Sequence, residues 1–433
     1  MEIKKNSFLS QSAPLLKDKL MKGTFALFIG GMVANVCNYL FQFIMSRGLS
    51  VSDFGAMNSL LSLMVIVSVP STSVLLISAK YVSELKANAN QIKIKIFQQK
   101  LLKKLIFCCT VILLPALIII PWIADFLKID SYYPVALLFF VLFLTFIIPV
   151  NLGTLQGMQK FFPVCNLWVI GAVTKIIFGF IAISIGFQLN GAIGAILAGC
   201  IATFTLSFYF LKDLPWNYSE SNDIGLDYKQ VWISSMPIIA CSLCISGLTN
   251  IDILLVKHFF SVDEAGIYAS ISVLGRTIYY VPSAIIMAMF PLVSETHTLK
   301  TDPFHLLKKA IGTTIILAGS VLIVLVAFPE FMLSMLFGPN YIVGAAPLRL
   351  FSIAMFFLTL VFVYATFLLA IEKRNFLYVL LIGLITEIVL ITYFHHSITH
   401  VLIVVLSVSS SMCFILTIMI LMLKQKKTMV SEP

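Results

Sequence analysis

Residues 105–127 read LIFCCTVILLPALIIIPWIADFL, with one charge, Asp125, in the whole stretch. A helix of that length is about 35 Å long at about 1.5 Å per residue, enough to cross ~30 Å of hydrocarbon. The stretch lacks the alternating ten-residue pattern of an outer-membrane barrel strand. Working outward from it, the chain divides into twelve such apolar runs, at 23–47, 54–79, 105–127, 133–151, 163–187, 190–211, 231–257, 264–293, 308–337, 345–371, 375–394 and 398–423. Of the 433 residues, 60% are hydrophobic and 11% charged, with a mean hydropathy of +1.03. A soluble domain carries about 25% charged residues, so this chain cannot cover a water-facing surface. The sequence predicts an all-α membrane protein of about twelve transmembrane helices. Its connecting segments are short and leave no room for a soluble catalytic domain. We expect no catalytic residues, no cofactor and no metal; the helices must carry the function.

The chain holds 29 Lys+Arg against 19 Asp+Glu, a net charge of +10. With the amino terminus inside, 23 of the cations fall on inner segments, including five in the first 22 residues and seven in 80–104. The outer side holds 4: Arg47, Lys128, Lys257 and Arg349. Lys175 and Arg276 lie inside spans. Lys and Arg accumulate on the cytoplasmic side of a membrane, so both termini are expected there. That topology accounts for the excess charge without invoking nucleic acid. The polar first 22 residues precede a run too long for a signal-peptide core, which is expected to stay as the first span. All eight cysteines lie in apolar runs. Cys241-x-x-Cys244 has the spacing of a redox or zinc pair, but no His, Asp or second Cys pair lies nearby. Small buried core residues are the expected reading.

The two halves resemble each other. Ser50-Val51-Ser52-Asp53-Phe54-Gly55 matches Ser261-Val262-Asp263-Glu264-Ala265-Gly266 at an offset of 211, and Val82-Ser83-Glu84 matches Val293-Ser294-Glu295 at the same offset. Six spans return the chain to its starting side, so the repeats are parallel. The expected layout is a six-helix lobe at 1–211, a cytoplasmic linker at 212–230, a second six-helix lobe at 231–423 and a cytoplasmic tail at 424–433. Such repeats place a substrate path between two lobes near the midplane.

Six short motifs in two regions carry a family resemblance. Asn38-Tyr39-Leu40-Phe41 to Ser46-Arg47, then Phe54-Gly55 and Ala79-Lys80-Tyr81-Val82, resemble the first hairpin of Wzx-type polysaccharide flippases. Asn250-x-Asp252, Ala265-Gly266-Ile267-Tyr268-Ala269 and Phe290-Pro291-x-x-Ser294 resemble their seventh and eighth spans. The resemblance covers the whole chain and places it in the multidrug/oligosaccharidyl-lipid/polysaccharide exporter superfamily. It implies export of a glycan repeat unit on undecaprenyl pyrophosphate across the bacterial inner membrane, feeding O-antigen (lipopolysaccharide) or capsule assembly. A glycan polymerase and a chain-length regulator would be partners beside the lipid bilayer.

Charges within spans are costly and usually face an interior cavity. Lys175, Arg276 and Glu387 lie mid-span, and Asp252 nearer a span end. Lys175 and Arg276 could form a cationic cavity for a passing pyrophosphate, which suits the Arg fork and the compact Lys charge. Alternatively they pair with a neighbouring helix and only hold the bundle. Lys175 and Glu387 occupy repeat-equivalent positions with opposite charge. Either they form a salt bridge that closes one transport state, or each faces its own lobe. Asp252 could bind a coupling cation or neutralise Lys257 or Arg276, and Glu387 joins it as an ion-coupling or gating candidate. Arg47 and Lys257 either contact substrate or snorkel to headgroups. Asn35, Asn38 and Gln42 share one helix face, as do Ser242, Ser246 and Asn250. Such stripes line a sugar path or bond neighbouring helices; the path is the expectation for Asn38 and Asn250. Tyr279 and Tyr280 lie where a sugar could stack. His395, His396 and His400 have no carboxylate or Cys beside them, which favours an exposed loop over a metal site.

Two further transport classes compete with the flippase reading. A multidrug exporter would favour acidic cavity residues, and a lipid II flippase a more cationic cavity. A glycan polymerase or ligase would need a sizeable outer loop, which the chain lacks.

Overall fold

The computed structural model describes residues 27–87, 91–212, 214, 228–298 and 302–431, and every regular element among them is helical. In hydrocarbon no water satisfies backbone N–H and C=O groups, so an apolar run crosses by bonding within itself. α1 spans Leu27–Gly48. α2 (Val51–Ala87), α3 (Gln91–Phe126), α4 (Tyr133–Gly157), α5 (Phe161–Ile185), α6 (Gln188–Phe210) and α7 (Tyr228–Phe259) follow. Then come α8 (Val262–Tyr280), α9 (Ser283–Thr298), α10 (Phe304–Ala327), α11 (Pro329–Leu336), α12 (Ala345–Ala370), α13 (Phe376–Tyr393) and α14 (Ile398–Ser431).

Among the described residues, ten helices are long and apolar enough to cross a membrane, and α3, bent by 49° between Ile112 and Leu114, makes eleven. Pro115 lies just past the bend, and proline is a common cause of such kinks. The run at 264–293 is divided into α8 and α9 at Pro282. α8 carries Asp263, Glu264 and Arg276, and α9 has only 16 residues, so neither meets the same measure alone. Residues 1–26, with the lysine-rich tail, and 213 and 215–227, the middle of the expected linker, lie outside the described residues. α7 begins at Tyr228, and α14 continues past residue 423 to Ser431.

The described residues fall into two compact units. Unit 1 takes those of Met1–Ile44, Pro70–Ile120 and Tyr133–Tyr228; unit 2 takes those of Met45–Val69, Pro121–Tyr132 and Lys229–Pro433. Residues 45–69 and 121–132 thus group with the carboxyl-terminal half. Two of the seams fall on prolines within helices, Pro70 in α2 and Pro121 in α3. A proline removes one i→i−4 bond and lets a helix change direction there.

In unit 1, α4 and α5 pack on α6, over a core that includes Phe97, Val150, Leu155, Val164 and Leu167. Within it Gln98 donates to Asn151 and Asn151 to Ser207, each at 2.7 Å. α5 and α6 meet at glycines: a Cβ on Gly199 would lie 2.6 Å from the Gly171 carbonyl. Lipid offers no hydrophobic drive between helices, so small residues that admit close packing do this work.

In unit 2, α12 is central and packs against α8, α9, α10 and α14. The starts of α2 and α8 are built alike. Ser50 Oγ accepts the Asp53 N–H at 3.0 Å, and Ser261 and Glu264 form a reciprocal capping box. These two starts touch backbone to backbone: a Cβ on Gly55 would sit 2.8 Å from the Gly266 nitrogen, and one on Gly266 would collide with the Val51 carbonyl. One turn on, Ser59 and Ser270 are fully buried, and their hydroxyls donate to Gly55 O and Ile267 O. Gly55 and Gly266, like Ser59 and Ser270, are 211 residues apart.

Candidate functional site

Each unit holds a cation near the middle of one of its helices. In unit 1 the cation is Lys175 on α5. Its ammonium donates to Asn38 Oδ1 on α1 and lies 4.6 Å from the centre of the Phe41 ring, a distance at which the ring face attracts a cation. Lys175 has no carboxylate partner among the described residues. It lines a cavity of about 500 Å³ together with Asn35 and Asn38 of α1, Trp168 and Gly171 of α5, and Thr203 of α6. None of the lining residues is acidic. Glycines and alanines from α1, α5 and α6 keep the floor low, and the Thr203 hydroxyl is turned to Gly199 O at 2.9 Å. Asn35 and Asn38 are exposed on this unit. The cavity can therefore offer an ammonium, two amides and an indole to a polar anion.

In unit 2 the cation is Arg276 on α8, and it is occupied. Its Nη2 meets Asp252 Oδ1 of α7 at 3.0 Å. Its Nη1 reaches Ser62 Oγ at 3.5 Å. The second Asp252 oxygen accepts the Tyr268 hydroxyl at 2.8 Å. Asp252, Tyr268, Arg276 and Glu387 are all buried. Glu387 of α13 lies within electrostatic range of Asp252 and Arg276, yet its Oε1 has no hydrogen-bond partner among the described residues, nor does Arg276 Nε. Two carboxylates thus face one guanidinium. Of the roles open to Asp252, neutralising Arg276 is the one this geometry displays.

The other candidates are more bound up than their sequence suggests. Asn250 is buried, its amide donating to Ser246 O at 3.0 Å and Thr249 Oγ1 at 2.9 Å. Tyr279 is buried against Phe362, with ring centres 5.2 Å apart, while Tyr280 is exposed. Arg47 is tied to the Met335 carbonyl. Lys257 does not snorkel: it is 1% exposed, with Asp53, Asp130, Asp263 and Lys128 in range. Its neighbour His258 stacks on Phe126 at 4.1 Å. His395 and His400 bond to Thr392 O and Ser397 Oγ in their own segment. Cys241 and Cys244 are both buried. Sequence reasoning missed Trp168, Thr203, Phe41, Ser62 and Tyr268. Two of these carried a signal: Trp168 is seven residues from Lys175 and Tyr268 eight from Arg276, each pair on one helix face.

The model for the family described as "Polysaccharide biosynthesis protein" matches residues 20–297. The chain belongs to that family. Among curated proteins, it is 25% identical over 260 residues to an uncharacterized membrane protein of Methanocaldococcus jannaschii. That match covers 56% of this chain and 60% of the relative, so it spans less than two thirds of that protein. Among solved structures, the polysaccharide biosynthesis family member is similar to an inward-facing multidrug resistance MATE transporter of the MOP superfamily. The TM-score is 0.77 at 14% identity, covering 94% of this chain and 99% of that one. It is also similar to the lipid II flippase MurJ in an inward closed conformation, with a TM-score of 0.71 at 12% identity, covering 91% and 87%. At these identities the likeness is one of fold: a multi-pass, two-lobed helical membrane architecture.

Proposed function

We propose that the protein is a flippase for lipid-linked saccharides. It would move an undecaprenyl-pyrophosphate-linked glycan repeat unit, of O-antigen or capsule, across the bacterial inner membrane by exposing one cavity to each side in turn. The observation that carries this reading is Lys175 in the unit 1 cavity. A cation held at membrane depth by a neutral amide, with no acid in the lining, keeps its charge available for an anion. The family match supports a saccharide cargo. A multidrug exporter for cationic compounds would meet an uncompensated ammonium here, which counts against it. A lipid II flippase needs the same pyrophosphate chemistry in a more cationic cavity, whereas Lys175 is the one cation among the lining residues of this one.

The unit 2 cluster serves coupling in this reading. Asp252 and Glu387 outnumber Arg276, so the cluster is one cation short of neutrality, and the unpartnered Glu387 oxygen is where a coupling proton or metal cation would bind. Arg276 reaches pyrophosphate only in a state in which Asp252 has released it. Both termini and the segment 212–230 are assigned to the cytoplasm from the Lys/Arg asymmetry, with a glycan polymerase and a chain-length regulator as partners on the outer side. Reporter fusions after residue 220 and at the carboxyl terminus should read cytoplasmic.

The test is transport of a fluorescent prenyl-pyrophosphate saccharide in proteoliposomes. Lys175→Gln should reduce it by about tenfold or more, the worth of a charge-assisted hydrogen bond. Lys175→Arg should keep part of it. Normal transport by Lys175→Gln at equal insertion would refute the reading.

A further inference from the structure

We propose that Trp168 is the platform on which the first sugar of the cargo lies, with the adjoining phosphate at Lys175. This rests on the flippase reading above and names the specificity-determining residue of the same cavity. Trp168 and Lys175 lie two turns apart on one face of α5, about 10 Å along the axis. Side chains three and four places on from Trp168 would be its neighbours on the helix surface. Those positions are Gly171 and Ala172, both in the cavity lining, so the ring is open on the side toward Lys175, while the turn before it, with Val164, belongs to the core on which it packs. From α1 the facing residue is Gly31, where a Cβ would lie 3.9 Å from Trp168 Cζ3. Any longer side chain at 31 would run onto the indole.

One side of Trp168 packs on the unit 1 core, which fixes its orientation, while the rest lines the cavity. Its indole N–H has no acceptor among the described residues. A tryptophan that merely anchors a span sits at the membrane interface with its N–H wetted. Trp168 instead lies two turns inside α5, beside exposed Asn35 and Asn38. Asn38 gives its carbonyl to Lys175 and keeps its NH2 for a ligand. An aromatic face, a free indole N–H and two amides at a fixed distance from a cation suit a pyranose joined to a phosphate. The ring faces the apolar side of the sugar, and the amides take its hydroxyls. Every pyranose has an apolar face, so the platform tolerates several sugars and discriminates sugar-bearing from bare carrier.

The experiment uses the full chain in nanodiscs, with farnesyl pyrophosphate and three derivatives bearing glucose, galactose or N-acetylglucosamine on the terminal phosphate. Wild type should bind at least one sugar-bearing probe about tenfold tighter than the bare one, the upper range for aromatic contacts. Trp168→Ala should abolish that gain, bringing the ratio of sugar-bearing to bare affinity close to one, while an unchanged gel-filtration profile and helical circular-dichroism signal show the variant is folded. Trp168→Phe should retain most of the gain. Gly31→Leu, which covers the ring without removing it, should behave like Trp168→Ala. The platform is refuted if no sugar tightens binding, or if Trp168→Ala weakens bare and sugar-bearing probes equally. If wild type binds no probe at all, or binds them equally well as Lys175→Gln, the flippase site itself falls.

Discussion

Lys175 and Arg276 each lie 14 residues past the first residue of their helix, α5 and α8. They match in depth along the helix without being repeat-equivalent, and their surroundings are opposite. Lys175 has an amide and a ring for company and a cavity in front of it. Arg276 has a carboxylate at 3.0 Å, whose other oxygen is held by a buried tyrosine. The difference teaches that depth in a span says only that a charge needs a partner. Whether that partner is protein or cargo depends on what the neighbouring helices bring.

The comparison breaks most visibly through stability. Asp252→Ala leaves Arg276 buried without its carboxylate, which should cost about 3–5 kcal/mol. The monodisperse fraction surviving a heating series should fall sharply, whereas Lys175→Gln should leave it unchanged. A thermolabile Lys175→Gln beside a robust Asp252→Ala would invert the assignment of cavity and strut. Next in size are the two glycines that join the starts of α2 and α8. Overpacking costs about 1–3 kcal/mol, and Gly266→Ala should exceed Gly55→Ala because its new methyl meets a backbone carbonyl. The same heating series ranks them, and an inert Gly266→Ala would remove the close contact. Glu387→Gln should shift stability by less than about 1 kcal/mol, since Oε1 holds no hydrogen bond to lose. Its transport should no longer follow an imposed cation gradient; a variant that still follows it would take Glu387 out of coupling. Smallest is the double exchange of Lys175→Glu with Glu387→Lys. Each residue has partners within its own unit, so the exchange should recover none of the transport lost by the single changes. Substantial recovery would instead join the two charges directly.

The helical architecture was legible because hydrocarbon leaves a chain few choices: an apolar run such as 105–127 can only be a helix. Breaks were harder. Pro282 divides a run that hydropathy alone reads through, and Pro70 and Pro121 mark seams that contiguous lobes do not anticipate. The candidate site was half visible. Lys175, Arg276, Asp252 and Glu387 stand out as charges in apolar surroundings. Their sorting into a cavity and a closed cluster depends on Asn38, Trp168 and Tyr268, residues from other turns or helices that composition cannot link to them. Asn250 shows the converse. Its polar stripe looks like a path, but an asparagine can equally turn its amide back on its own helix, and here it does.

The meeting of Gly55 with Gly266 sets a segment against its own copy. A surface that contacts itself in this way is what a two-fold homodimer presents, residue i touching j and j touching i. Here the two matching segments belong to one chain, so the interface is intramolecular, and its two sides need not match elsewhere to meet here. Phe54 and Ala265 differ although they are counterparts; the glycines cannot, because a Cβ on either would meet backbone of the other segment. The contact is thus self-complementary: at this corner neither segment can grow a side chain without meeting the backbone of the other.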